Sequence, residues 1–135
     1  MKAAFIDTNI FLRYLTKDDA SKYDKCREIF KKCVEGKLEL VTSVIVIAEL
    51  IWTLLSYYKV QKADVIEKIS ILVSTDNLYI PDKDIITDAL VLYSRKSIDY
   101  IDAYNAVFMR HYGFEEIYSY DEDFDAVENI KRTEP

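Results

Sequence analysis

Hydrophobic positions along the chain follow two alternating rhythms. Short, nearly continuous apolar runs read as strands, and longer stretches with apolar residues every three or four positions read as helices. Residues 2–7 (KAAFID) predict a short buried strand. Ile10, Phe11, Leu12, Tyr14 and Leu15 then predict the buried side of a helix that starts at once. Residues 19–36 predict a second helix, with Tyr23, Cys26, Phe30 and Cys33 on one side and Gly36 as the stop. Residues 38–42 (LELVT) predict a strand, and Ser43 caps a helix over 44–58 that is apolar almost all round and expected to be buried on much of its surface. Residues 61–74 predict an amphipathic helix, and 77–81 (NLYIP) a third strand ended by Pro81. Helices follow over 83–96 and 101–112, the latter stopped by Gly113. Residues 116–120 predict a fourth strand and 129–133 a weak fifth one at an edge.

Strands separated by helices imply an α/β fold: a three-layer α/β/α sandwich around a mainly parallel sheet of four or five strands. A length of 135 residues suits a single domain over 1–135. There is no repeat or linker, and with two glycines and two prolines the loops are expected to be short and stiff.

Composition narrows the class. Half the residues are apolar and 31% are charged, which is the balance of a globular protein. The longest apolar run, 44–55, is interrupted by Glu49 and is too short to span a bilayer. The opening residues have no basic region or cleavage site, so a cytoplasmic location is expected. Cys26 and Cys33 lie about 10 Å apart along one helix, too far to bridge each other, and read as free thiols on an inward face. A net charge of −6 argues against a broad basic nucleic-acid face. It is compatible with an enzyme whose acids hold cations, because bound cations reverse the local field.

Four acidic positions carry the candidate chemistry. Asp7 follows the first strand, where it serves either as the cap of the next helix or as a ligand. Glu49 sits in the apolar stretch VIVIAELIW, where a carboxylate is costly unless partnered. Asp102 opens DAYNAVFM, and Asp121 begins the turn after IYSY, with Asp123 two residues on. Asp82 and Asp99 read as caps. In an open parallel sheet, ligands bind beyond the carboxyl ends of the strands, so neighbouring first and fourth strands would bring Asp7 and Asp121 to one edge. Four carboxylates there repel one another unless hard divalent cations, Mg²⁺ or Mn²⁺, neutralise them. Such ions activate water and stabilise the leaving oxygen in phosphodiester hydrolysis.

The motifs FIDTN (Asp7, Thr8, Asn9), AEL (Glu49), DAYNA (Asp102) and YSYDEDF (Asp121, Asp123, Phe124) occur in an order and spacing that resemble the PIN-domain family over nearly the whole chain. That resemblance implies a Mg²⁺- or Mn²⁺-dependent ribonuclease. It is similar to the VapC toxins of toxin–antitoxin pairs, which implies an RNA substrate, an antitoxin partner and a homodimer. By position it implies metal ligands at Asp7, Glu49 and Asp102. The fourth acid is Asp121, with Asp123 as supplement or replacement. Thr8 and Asn9 become the polar pair beside the first acid, and Ser119 keeps the hydroxyl that is commonly a Thr there.

Around this site, Arg13, Lys17 and Arg110 are candidate RNA-contacting cations, each with a plain solvated role as the alternative. Trp52, Tyr57 and Tyr58 read as a dimer or antitoxin contact. His111, the single histidine, has no obvious partner in sequence and reads as structural or surface. A dehalogenase-type phosphotransferase needs a second Asp where Asn9 stands, and a receiver-type phosphoacceptor needs an acid beside Asp7. The remaining alternative is a degenerate PIN-like module that binds RNA or protein without cutting; the intact acids argue against it.

Overall fold

Parallel strands cannot be joined by a tight hairpin, so each pair needs a crossover connection. This chain supplies helices for that purpose. The computed structural model describes residues 2–135 and divides into two compact units, Met1–Lys83 and Asp84–Pro135.

The first unit runs β1 (Lys2–Phe5), α1 (Thr8–Thr16), α2 (Ala20–Val34), β2 (Leu38–Val41), α3 (Val44–Ser56), α4 (Lys62–Val73) and β3 (Leu78–Tyr79). Its sheet has the order β1-β2-β3 and is parallel throughout, with Lys2 opposite Leu38, Phe5 opposite Val41 and Val41 opposite Tyr79. Two helices fill each crossover. Thr42, fully buried, ties the ends of the strands together: its N–H donates to the Tyr79 carbonyl at 3.1 Å and its hydroxyl to the Ile6 carbonyl at 2.9 Å. The core is built from Phe11 of α1, Ile47, Leu50 and Leu54 of α3, and Val65 and Ile69 of α4. Phe11 meets Phe30 of α2 with ring centroids 5.7 Å apart.

The second unit holds all of α5 (Lys83–Arg95) but its first residue, then α6 (Tyr100–Tyr112), β4 (Glu116–Tyr118), a 3-10 turn over Glu122–Ala126 and β5 (Lys131–Thr133). β4 and β5 pair in parallel, Ile117 opposite Arg132. Asp99 caps α6 by accepting from the Asp102 N–H at 2.9 Å. Gly113 ends it at φ +78°, a left-handed conformation that favours glycine.

The α/β class and the parallel strands are as the sequence predicts. Three features differ. The five strands form a three-stranded and a two-stranded sheet. β1, read as buried, has Lys2, Ala3 and Phe5 exposed, and its inward residue is Ile6 just past the strand. α3, read as apolar almost all round and buried on much of its surface, keeps an open face of Ile45, Glu49 and Trp52. These positions share one side of a helix at i, i+4 and i+7, away from Ile47, Leu50 and Leu54. Composition alone does not say which third of an apolar helix faces out. The two cysteines are buried and free, as expected.

Candidate metal centre

The candidate acids are placed by helix ends and turns. Asp7 is the N-cap of α1: its Oδ1 accepts the Thr8 N–H at 2.7 Å, and the carboxylate is exposed. Thr8 is buried, and its hydroxyl has no partner among the described residues. Asn9 follows on the exposed side of the helix start. Glu49 lies on the open face of α3, which removes the burial cost that made it conspicuous in sequence. These four residues belong to the first unit.

In the second unit three carboxylates converge. Asp102, Asp121 and Asp123 each offer an oxygen, and the three oxygens lie within 4.8 Å of one another. Asp102 projects from the first turn of α6. Asp121 is the N-cap of the 3-10 turn, where its Oδ1 accepts the Asp123 N–H at 2.9 Å. Its own N–H donates to the Ser119 hydroxyl at 3.0 Å. Ser119 thus holds Asp121 from two residues upstream, and Asp121 holds Asp123 from two residues upstream. Asp121 and Asp123 are both in the cluster.

Asp102 is the perturbed member. It is half-buried, and its Oδ2 is enclosed with no hydrogen-bond partner among the described residues. Burial, then the charge of Asp99, then the charge and hydrogen bond of Asp121 and the charge of Asp123 push its carboxyl up to about 7. Asp99, read in sequence as a cap only, is therefore also part of the field at the site; its position one turn before Asp102 was the available signal. An enclosed, unpartnered carboxylate oxygen beside two further carboxylates is a costly arrangement unless a cation completes it. An all-oxygen donor set of this kind fits Mg²⁺ or Mn²⁺ and not the softer metals.

The surrounding candidates are sorted by their partners. Arg13 is engaged by Asp18 at 2.7 Å, and the same Asp18 oxygen accepts from the Tyr58 hydroxyl at 2.8 Å. Lys17 lies over the Tyr23 ring, 5.1 Å from its centroid. Arg110 has no ion pair among the described residues and lines a cavity of about 520 Å³ with Arg95, Lys96 and Glu128. Tyr58 is half-buried by that internal bond, whereas Tyr57 and Trp52 are exposed. His111 does have a partner: its Nε2 meets Asp88 Oδ2 at 2.9 Å, one element away on α5, a contact no local sequence pattern announces. No helix among the described residues is long and apolar enough to cross a membrane.

Residues 4–130 match the PIN domain family model. A VapC ribonuclease of Aquifex aeolicus (strain VF5) is 24% identical over 119 residues, which span 88% of this chain and 87% of that protein. The crystal structure of Mycobacterium tuberculosis VapC20, a toxin that cleaves the sarcin-ricin loop, is similar at 20% identity and a TM-score of 0.41 over 90% of this chain and 92% of that one. A VapBC2 structure from Rickettsia felis, bound to a DNA fragment from its promoter, matches at 18% identity and a TM-score of 0.39 over 99% of this chain and 98% of that one.

Proposed function

This chain belongs to the PIN-domain family, and from that premise we propose that it is a metal-dependent endoribonuclease, the toxin of a toxin–antitoxin pair. The observation that carries the reading is the convergence of Asp102, Asp121 and Asp123 in a chain whose family match runs across both units. On this reading the family match makes residues 1–135 one PIN domain, and Asp7 and Glu49 are further candidate metal ligands by motif position alone. Sequence likeness to a VapC ribonuclease supports RNA as the substrate and an antitoxin as the partner. A homodimer, a cytoplasmic location and Mg²⁺ or Mn²⁺ as the ion belong to the same reading.

The chemistry follows from the donor set. Asp102, Asp121 and Asp123 would hold a divalent ion, which would supply charge neutralisation at the phosphodiester and a lowered water pKa. The protein's residues do the rest. α6 fixes Asp102, whose Oδ2 has no hydrogen-bond partner among the described residues. The 3-10 turn presents Asp121 and Asp123 together, each oriented through backbone N–H groups. A cation held there would favour the ionised form of Asp102, because it would offset the repulsion from Asp99, Asp121 and Asp123 that raises its pKa. Thr8 and Asn9, the two residues that follow Asp7, belong to the same reading as the polar pair beside the first acid.

The test is cleavage of a mixed RNA substrate by the full chain in Mg²⁺ and Mn²⁺. Asp121→Asn is expected to reduce the rate at least about 100-fold, the scale on which an electrostatic catalytic group acts, with an unchanged circular dichroism spectrum. A wild-type rate in that variant contradicts the proposal.

A further inference from the structure

Asp121 lies in the short segment between β4 and the 3-10 turn, and Asp123 and Asp125 lie within that turn. One side chain reaches both ends of this stretch. Arg132, in the middle of β5, is only 13% exposed at its side chain. Its Nε donates to Asp125 Oδ1 at 2.9 Å and its Nη2 to Asp125 Oδ2 at 3.1 Å, a two-pronged pairing at the downstream end. Its Nη1 donates to the Ser119 carbonyl at 3.1 Å at the upstream end, and to Glu134 Oε1 at 2.8 Å. Ser119 in turn accepts from the Asp121 N–H through its hydroxyl.

We propose that Arg132 is a positioning residue for the metal centre: it clamps Ser119 and Asp125 in one planar fork and so fixes the spacing of Asp121 and Asp123 between them. This rests on the metal-site reading above. The geometry has three consequences. Both contact points bracket the two acids in sequence, at two residues before Asp121 and two after Asp123, so slack in either contact moves a ligand. The fork is specific to guanidinium, since an ammonium cannot reach two carboxylate oxygens and a carbonyl in one plane. Arg132 also cancels the charge of Asp125, which otherwise adds a further anion to an already acidic loop.

The experiment is Mn²⁺ binding to the full chain, read by the electron paramagnetic resonance of free Mn²⁺, beside RNA cleavage as a function of Mn²⁺. Arg132→Gln is expected to raise the half-saturating Mn²⁺ about 10- to 100-fold, the usual effect of losing a residue that orients a metal ligand, with most of the maximal rate restored at saturating Mn²⁺. Arg132→Lys is expected to keep the charge and still lose most of the affinity. Asp125→Asn weakens one end of the clamp only and is expected to shift half-saturation several-fold in the same direction; it serves as the readout if Arg132→Gln does not fold. A lower melting temperature with unchanged Mn²⁺ binding in the folded variants makes Arg132 purely structural and overturns the inference. Asp121→Asn separates the two failures. If wild type binds no Mn²⁺, or Asp121→Asn binds it as well as wild type, the metal site itself falls and the clamp with it. If Asp121→Asn loses Mn²⁺ while Arg132→Gln and Asp125→Asn keep it, only the clamp falls.

Discussion

Asp102 joins a buried oxygen, three acidic neighbours and a helix start in one residue, and its ionisation follows from that setting. Its folded pKa lies above the ordinary carboxylate value, so the folded chain holds the proton more tightly than the unfolded chain does. Without metal, this contribution to stability is complete below about pH 4 and is lost as the pH rises through about 7. Thermal melts of the metal-free chain between those limits are expected to fall with pH. Asp102→Asn is expected to flatten that fall and to melt higher than wild type at neutral pH, because it removes the repulsion. A melt that rises across this range contradicts the assigned environment. With metal present the direction reverses: affinity climbs with pH as the proton departs. The sequence announced Asp102 only through its motif, since a first-turn acid is ordinarily a favourable partner of the helix dipole. The enclosure of Oδ2 is a tertiary fact. Glu49 is the opposite case: its apolar neighbours in sequence suggested burial, yet three of every seven positions on a helix can face water.

The helices were legible because their signals are local. Ser43 caps α3 by accepting the Val46 N–H at 3.2 Å, Asp99 caps α6, and Gly113 ends it, all within a few residues of the periodic stretch they bound. Strands were less so: β3 comprises only Leu78–Tyr79, and the inward side of β1 depends on partners far along the chain. The division of α3 into two faces yields a paired expectation. Ile47→Ala, at a position with no exposure, is expected to cost about 2–5 kcal/mol in chemical denaturation, whereas Trp52→Ser on the open face changes monomer stability by less than about 0.5 kcal/mol. If Trp52 belongs to a homodimer interface, the same substitution lowers the apparent mass in sedimentation. Equal stability losses at both positions contradict the two-faced description of α3.

For the whole molecule, the α/β class, the order of elements and the acid motifs were legible from one chain. The partition of five strands into two sheets was not, because strand pairing is decided by contacts that no local pattern encodes. The fork of Arg132 was equally silent: its partners Ser119 and Asp125 lie on an earlier segment, and nothing around Arg132 in sequence marks it. Net charge belongs to this scale too. A net charge of −6 argues against holding RNA by bulk attraction alone. The most direct test is therefore a metal titration of RNA cleavage by wild type and Asp102→Asn, begun in chelator. The expected result is no cleavage in chelator, cleavage that returns as Mn²⁺ is added to wild type, and a rate at least about 100-fold lower in the variant at every concentration. Cleavage by the wild-type chain in chelator, or a variant that cuts as fast as wild type, contradicts the claim that these acids act through a bound cation.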